Sequence, residues 1–290
     1  MNAVRSSRRA RGVTLIELLI SIVIGLVVVA AVMVTFVNTG KAGRYEAALN
    51  QMNQDAQVAL NMLSREVQLA GYVSPGNSLG LNVTPLFGCD ASRSVTPGAI
   101  PFVDATVTGQ PACSATVAAP TVSALEVVYE ADIYDTVPRT TGEPTNCDGL
   151  AAPVTGAISI ARNRYFVDRV AGGRPELYCA SNAALSAKVS IMENVEEMQI
   201  WYGVIAAATP NQVIRYAQAG DVNAQPAGEW NNVMSARICL LMRSAEPVLS
   251  GDDATSYLDC SSQSQNYSAG DRYLRRAYFT TATVRSKMAS

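Results

Sequence analysis

Apolar residues are concentrated in one long block near the start of the chain. Residues 13–37 hold a single charged side chain, Glu17, and the next charge along the chain is Lys41. A helix rises about 1.5 Å per residue, so this block reaches about 37 Å, which exceeds the bilayer's hydrocarbon thickness of about 30 Å. The pattern therefore predicts a membrane-spanning helix over residues 13–37.

After residue 37 the apolar residues are confined to one face, but their spacing is still that of a helix. No proline lies between residues 13 and 70, whereas Gly71 and Pro75 stand where helices commonly end. We therefore expect one continuous helix over residues 13–70, about 85 Å long, whose amphipathic part over residues 38–71 packs into a globular domain. Its apolar face repeats every three or four positions, at Tyr45, Leu49, Met52, Ala56, Leu60, Leu63, Val67 and Ala70.

Beyond Gly71 the periodicity changes to the alternation of β-strands. Residues 125–130 alternate apolar side chains, which are expected to face a core, with Glu126 and Glu130, which are expected to face water. Similar patterns predict a strand pair at residues 158–160 and 165–167, and further strands within 198–204, 234–242 and 272–285.

These elements predict an α+β fold. We expect residues 72–290 to form a β-rich domain, a mostly antiparallel sheet packed on the second half of the long helix. Residues 74–120 and 138–156, rich in Pro, Gly, Ser, Thr and Ala, are expected to be long loops.

The residues before the apolar block are basic. Arginines occupy positions 5, 8, 9 and 11, and residues 1–12 contain no acid. By the positive-inside rule, these arginines keep the short leader in the cytoplasm. The chain after Val37 is therefore expected to lie outside the inner membrane.

The composition removes several classes of function. The chain has no His, which excludes a Ser-His-Asp triad, a Cys-His pair, a His metal site and imidazole acid–base catalysis. A net charge of −2 does not favour a nucleic-acid partner. No phosphate-binding glycine loop or pair of catalytic carboxylates stands out, so we expect neither a cofactor nor an enzyme.

Three interpretations of the N-terminal segment compete. A cleavable secretory signal has an apolar region of only about 7–15 residues, so the block over 13–37 is too long. A plain signal anchor fits the length and gives Glu17 no role. The third rests on residues 12–17, GVTLIE, which follow a basic leader and open an uninterrupted apolar helix. This arrangement resembles the class III signal of type IV prepilins.

The resemblance to prepilins gives Glu17 a purpose. An isolated carboxylate in a bilayer costs about 3 kcal/mol and needs a partner. The resemblance implies that Glu17 neutralises the N-terminal amine of a neighbouring subunit as a filament grows. It also implies cleavage between Gly12 and Val13 by a prepilin peptidase, with N-methylation of Val13.

Six cysteines are candidates for disulfides: Cys89, Cys113, Cys147, Cys179, Cys239 and Cys260. None stands in a CxxC pair, and without His a zinc site is not expected. All lie on the expected outer side of the membrane, where oxidation is favoured. Of fifteen possible pairings we favour the sequential one, which closes three local loops at about 3 kcal/mol each in the chain-entropy model. Free thiols are the alternative.

Four segments go beyond a generic pilin: residues 64–72, 193–204, 233–244 and 272–286. Together they resemble the PilW family of minor pilins, whose architecture is related to the J-type minor pseudopilin of type II secretion. The resemblance implies a type IV pilin-like fold. It also suggests that Arg65 and Glu66 cap the helix or clamp it to the sheet, and that the RYLRR arginines pair with acids on neighbouring strands or subunits.

The resemblance also implies a function and partners. The chain is expected to help prime type IV pilus assembly and to enter the pilus at or near its tip. The implied partners are the prepilin peptidase, the major pilin, FimU-, PilV- and PilX-type minor pilins and a PilY-type tip adhesin. The implied location is the inner membrane before assembly and the cell surface afterwards. Two alternatives stay open: a type II secretion pseudopilin, and a membrane-anchored periplasmic binding protein or enzyme.

Two groups of charged residues are weaker candidates. Asp252, Asp253 and Asp259 could supply oxygen ligands to calcium, but their spacing matches no defined loop and favours a solvated acidic loop. The C-terminal basic residues favour a solvated or subunit-facing strand surface over a DNA site; they are Arg272, Arg275, Arg276, Arg285 and Lys287.

Overall fold

The chain is described as a computed structural model. The described residues are 12, 14–80, 83–92, 100–102, 112–114, 121–169, 173–184, 187–206, 208–224, 229–250 and 255–288. The chain divides into two compact units, Met1–Ala47 and Ala48–Ser290.

The long helix α1 spans Leu15–Leu69, 55 residues. It begins after Thr14, whose Oγ1 accepts a hydrogen bond from the backbone N–H of Glu17 at 3.3 Å. This contact satisfies one of the free N–H groups of the first turn, as an N-cap residue does. The helix expected over residues 13–70 is therefore present, with its first turn at Leu15.

Gly71 ends α1, as its place in the sequence predicts. Its φ is +76°, a left-handed conformation that glycine adopts without steric cost. A Cβ here would lie 2.7 Å from the Oγ of Ser286 and 3.1 Å from the Cβ of Pro85. Both the backbone conformation and the space therefore require glycine.

In the first unit, the apolar side chains of α1 are exposed on all sides. Over residues 15–37 the exposed fraction of the large apolar side chains runs from 51% at Val29 to 79% at Leu15 and Phe36. Within the described part of the chain, α1 is the one helix long and apolar enough to cross a membrane. The block that the sequence marks as membrane-spanning is thus helical and unburied.

In the second unit, α1 is buried along one face only. The buried positions follow steps of three and four, as an amphipathic helix requires: Met52, Ala56, Ala59, Leu60, Leu63 and Val67. Polar residues occupy the opposite face, so this half of the helix has a single side to pack on a sheet.

The described residues of the second unit contain twelve strands. These are β1 (Leu86–Ser92), β2 (Thr121–Ala131), β3 (Val154–Thr155), β4 (Ile158–Arg169), β5 (Pro175–Ser181), β6 (Val189–Glu193), β7 (Val195–Ala206), β8 (Thr209–Ala217), β9 (Val233–Arg243), β10 (Ser256–Leu258), β11 (Ser264–Asn266) and β12 (Arg275–Thr283). A short helix α2 covers Ala219–Asn223, and 3₁₀ turns cover Glu229–Asn232 and Arg285–Lys287.

The strands form two main sheets and a hairpin. The first sheet has the order β1-β2-β4-β5-β6, with β3 paired to β4, and the second has the order β12-β9-β7-β8. Strands β10 and β11 pair with each other, and all these described pairs are antiparallel. The strands thus lie in two main sheets where a single sheet was expected; Asn194, with a φ of 61°, stands between β6 of the first sheet and β7 of the second.

One hydrophobic core joins the second half of α1 to both sheets. It contains Leu63 of α1, Leu125 of β2, Ile200 of β7 and Ile238 of β9, all fully buried. The predicted α+β fold, a long N-terminal helix with an antiparallel β-sheet domain, is therefore confirmed.

The prediction that Glu126 and Glu130 face water was wrong. Their exposed fractions are 0% and 6%. Glu126 forms ion pairs with the equally buried Arg162, at 2.8 Å, and Arg164, at 2.7 Å. Alternation shows which side chains share a face of a strand, but it does not show whether further chain covers that face. Here Phe102 lies against the Arg164 guanidinium, 5.5 Å from the ring centroid.

The pairing with Glu126 also explains a second difference from expectation. Residues 158–169 form one strand, β4, instead of the expected pair of strands. The polar triplet 162–164, two arginines around Asn163, interrupts the apolar pattern, yet it stays in the strand because Glu126 of β2 is aligned with Arg164. Strands β1 and β3 lie in segments expected to be loops.

Replacing the buried carboxylate tests how much the second unit depends on this pairing. Glu126→Gln should lower the free energy of unfolding by about 3–5 kcal/mol, because it removes the carboxylate that pairs with the buried guanidinium groups of Arg162 and Arg164. The measurement is denaturant unfolding of the full chain in detergent, followed by circular dichroism.

The matched control is Glu143→Gln. Glu143 lies 3.7 Å from Arg139, and both side chains are about half exposed, 55% and 49%. This change should cost less than about 1 kcal/mol. Equal effects of the two substitutions would show that the buried ion pairs do not stabilise the fold.

Candidate functional site

The processing signal lies at the start of α1. Gly12 is described and exposed, whereas Val13 and the leader before Gly12 lie outside the described residues. Glu17 occupies the first turn of α1, where its negative charge is favourable to the helix dipole. The carboxylate of Glu17 has no cationic partner within the described part of the chain.

The surface that follows Glu17 is apolar over more than five helical turns. The side chains of residues 15–37 are exposed in the chain itself, and an apolar surface of this extent is not stable in water. Lipid or the apolar helices of other subunits can cover it, because neither requires polar side chains on the helix.

At the other end of α1, Glu66 joins the helix to the first sheet. Its Oε2 accepts a hydrogen bond from Asn163 Nδ2 at 3.1 Å, and its Oε1 lies 3.5 Å from the Tyr129 hydroxyl. Asn163 also donates to the Tyr129 hydroxyl at 3.1 Å, and its Oδ1 accepts the N–H of Cys147 at 3.1 Å. Burial raises the pKa of Glu66. This network provides the clamp that the resemblance suggests for Glu66.

Arg65 makes a separate contact with the turn after β2. Its Nη2 donates to the main-chain carbonyl of Asp135 at 2.9 Å. The Asp135 carboxylate accepts the N–H of Asp132 at 2.8 Å, while its second oxygen has no hydrogen-bond partner within the described residues. Burial, with the nearby Asp132 charge as a smaller cause, raises the pKa of Asp135 to about 6.

The C-terminal 3₁₀ turn fixes the end of α1 from another side. Ser286 Oγ donates to the carbonyl of Ala70 at 2.8 Å. Lys287 Nζ donates to the carbonyls of Trp230, Asn231 and Val233 at 2.9, 3.0 and 2.9 Å. Burial lowers the pKa of Lys287 to about 8, so at pH 7 the group is still an ammonium ion with three donors.

The six cysteines are joined in sequence order. The pairs are Cys89–Cys113, Cys147–Cys179 and Cys239–Cys260, with Cα–Cα distances of 5.6, 6.2 and 5.8 Å. The third pair attaches the β10–β11 hairpin to β9, and the second attaches the loop before β3 to β5. These disulfides therefore hold irregular segments to the sheets.

Of the three weak calcium candidates, Asp259 is the one whose surroundings the structure describes. Asp259 is 7% exposed, and its carboxylate accepts hydrogen bonds from the N–H groups of Ser261 and Gln263 at 2.9 Å each. Gln265 donates to it at 2.8 Å. Asp252 and Asp253 lie outside the described residues. Within the described ranges, no group of three acids or cysteines is placed to hold a metal ion.

The C-terminal arginines differ from one another. Arg275 pairs with Glu196 at 2.9 Å and with Asp271 at 2.8 Å, as the resemblance suggests for this segment. Arg276 lies over Tyr278, 5.7 Å from the ring centroid. The roles of Asn163 and Lys287 were not expected from the sequence, because one polar residue in a strand and one cation near a terminus carry no periodic signal.

Comparison with known proteins shows two regions of similarity. The chain matches the family described as type IV pilus-assembly protein W over residues 164–286, and the prokaryotic N-terminal methylation motif over residues 7–33. Among solved structures, a type IV-like pilin from Thermus thermophilus is 11% identical, with a TM-score of 0.37, over 83% of this chain and 100% of that chain. No curated protein matches the chain.

Because the pKa of Asp135 is raised, replacing its carboxyl by a neutral amide should stabilise the fold by an amount that depends on pH. Between pH 4 and 6 the folded state binds a proton that the unfolded state has released, so this group's contribution to stability falls as pH rises. Asp135→Asn removes that loss and should raise Tm by about 2–4 °C at pH 7. The gain should disappear toward pH 4. Thermal melts of both chains across this range measure it, and a gain independent of pH would contradict the assignment.

The three carbonyl contacts of Lys287 predict a structural role for the C-terminal turn. Lys287→Met keeps the length of the side chain but removes its donors, and should cost about 1–3 kcal/mol of unfolding free energy. Arg285→Met, at an exposed position of the same turn, should change it by less than about 0.5 kcal/mol. Denaturant titration of both variants gives the comparison, and equal losses would refute a specific role of Lys287.

Proposed function

We propose that the chain helps prime type IV pilus assembly and enters the pilus at or near its tip, because residues 164–286 match the PilW family of type IV minor pilins and residues 7–33 match the N-terminal methylation motif. Members of this family are structural proteins and not enzymes. The observation that carries the proposal is an unburied apolar helix that begins directly after the prepilin signal, with Glu17 in its first turn.

Processing is the first step of the proposed function. The N-terminal methylation motif implies that a prepilin peptidase acts on the chain. We assign the cut to the bond between Gly12 and Val13 and the methyl group to the new amine of Val13. Cleavage removes the four arginines of the leader and leaves an N-terminus four residues from Glu17.

Glu17 then directs the helix into the filament. In an apolar environment its carboxylate costs about 3 kcal/mol unless a cation compensates it. The methylated amine of a neighbouring pilin is such a cation, and it lies at the same depth when two helices align by their first residues. The apolar side chains after Glu17 pack on neighbouring helices in place of lipid.

The partners of the proposed function follow from the same steps. They are the prepilin peptidase, the major pilin, FimU-, PilV- and PilX-type minor pilins and a PilY-type tip adhesin. Before assembly the chain spans the inner membrane with its leader in the cytoplasm and its globular unit in the periplasm; after assembly it is at the cell surface.

Glu17→Ala tests the assembly step. The variant should fold, form its disulfides and be cleaved after Gly12, but its amount in sheared pili should fall about tenfold or more, because the amine of the neighbour loses its anion. Quantitative mass spectrometry of sheared pili and of membranes measures this and reads the N-terminal peptide.

Glu46→Ala is the matched control, since Glu46 is an exposed glutamate on the same helix outside the apolar block. It should enter pili normally. Normal incorporation of the Glu17 variant would overturn the mechanism. A processed chain found only with secretion components in the membrane would instead favour the pseudopilin alternative.

A further inference from the structure

The outer face of the second sheet carries exposed aromatic side chains on its two edge strands and a half-buried tryptophan on a central strand. We call it the Arg237 face and define it by Trp201 of β7, Ile214 and Tyr216 of β8, Arg237 of β9 and Phe279 of β12. The exposed fractions of Ile214, Tyr216 and Phe279 are 55%, 49% and 41%. Single exposed apolar residues are common, but a set that crosses all four strands of one sheet is not.

The strand register places these residues on the same side. Arg237 is aligned with Trp201 on one side and with Thr281 on the other. Their sequence neighbours Tyr202, Ala236 and Ala282 point the other way and are buried in the core. The outer face therefore runs from β12 across β9 to β7 at the level of Arg237, and it ends at Cys239, where the disulfide to Cys260 holds the β10–β11 hairpin against the sheet.

Gly203 extends this face to β8. It is aligned with Tyr216, and a Cβ on Gly203 would lie 3.2 Å from Tyr216 Cε1 and 2.2 Å from Ser235 Oγ. The absence of a side chain lets the tyrosine ring lie across the sheet. The result is a broad face of β-strands with rings at both ends and Arg237 between them.

Arg237 is held in place without an ion pair. Its guanidinium lies 5.8 Å from the ring centroid of Trp201 and 5.1 Å from that of Phe279. No carboxylate pairs with it in the described part of the chain, although Arg243 on the same strand lies 3.7 Å from Glu196. Stacking on two rings orders the guanidinium while its N–H edges stay free to bind an anion.

These features decide which partner fits. A nucleobase or a sugar ring would need the ring faces of Trp201 and Phe279, but the guanidinium already lies over them. The N–H edges of Arg237 match the two oxygens of a carboxylate, and the surrounding rings match apolar side chains. Trp, Tyr and Arg are also the residue types that contribute most to the binding energy of protein interfaces.

We propose that the Arg237 face docks another pilin-type subunit, through a carboxylate of that subunit set among apolar side chains. The inference rests on the proposed function, because the partner is a component of the same pilus. It adds to that function the surface on the globular unit and the chemistry that selects the neighbour.

The test is photo-crosslinking of the full chain in native cells that assemble pili. p-Benzoylphenylalanine replaces Phe279 on the face or, as the control, Tyr134, which is 87% exposed after β2. The Phe279 probe should give an adduct with a second protein that carries a prepilin signal, at about tenfold or more above the Tyr134 probe. Mass spectrometry then maps the attachment site and the nearest Asp or Glu of the partner.

Charge changes show whether Arg237 selects the partner. Arg237→Glu should lower the adduct about tenfold or more, and Arg237→Lys by less, since lysine keeps the charge but not the planar fork. Arg139→Glu makes the same charge change at an exposed position in the loop after β2 and should leave the adduct unchanged. Replacing the mapped acid of the partner by Arg should restore the adduct of Arg237→Glu.

The outcomes separate this inference from the proposed function. Retention of all three disulfides in Arg237→Glu shows that the variant is folded. A chain that enters pili without a Phe279 adduct would overturn the inference alone, as would an adduct with a second copy of this chain or with nucleic acid. A chain absent from pili would overturn the proposed function. The inference would then be judged by whether the Phe279 probe forms its adduct with a pilin-type protein in membranes.

Discussion

The structure depends on one constraint, that α1 has two apolar surfaces that need different surroundings. From Leu15 to Val37 the apolar side chains are exposed on all sides, whereas from Met52 onward a single face is apolar and buried. Apolar surface in water costs about 25 cal/mol per Å², so the first surface must lie in lipid or against other helices. Only the second half of α1 can hold the globular unit, and the bonds of Arg65, Glu66 and the C-terminal turn are concentrated there.

Buried charges then fix how the first sheet is paired. Glu126 of β2 is aligned with Arg164 of β4, and Arg162 reaches the same carboxylate from two residues away. A slip of the β2–β4 register by two residues would move the carboxylate away from at least one arginine in a region without water. An apolar pair would tolerate such a slip more easily. The ion pairs therefore specify the register, even though burying three charges adds little net stability compared with apolar packing.

The sequence predicted the parts of the fold that rest on periodicity. The helix from 15 to 69 was expected nearly to the residue, and the alternating strands β7 and β9 lie where the pattern places them. The errors at Glu126 and in β4 arise because a polar residue on a strand face indicates water only when nothing covers that face. The site divides in the same way: the signal around Glu17 is a local motif, whereas Asn163 and Lys287 act through contacts between segments distant in sequence.

The two surfaces of the chain also differ in what they can discriminate. In the proposed function, the apolar half of α1 packs by van der Waals contact, which accepts any helix of suitable shape, so Glu17 would align neighbours without telling one pilin from another. In the proposed function, a minor pilin at a defined place in a pilus needs a surface that rejects the wrong neighbour, and the proposed surface is the one around Arg237, which lies between two rings. A partner without the matching acid would bury the guanidinium without an anion. The free-energy cost of that burial would weaken the binding of wrong partners and not of the right one. Specificity then resides in the sheet, and insertion in the helix.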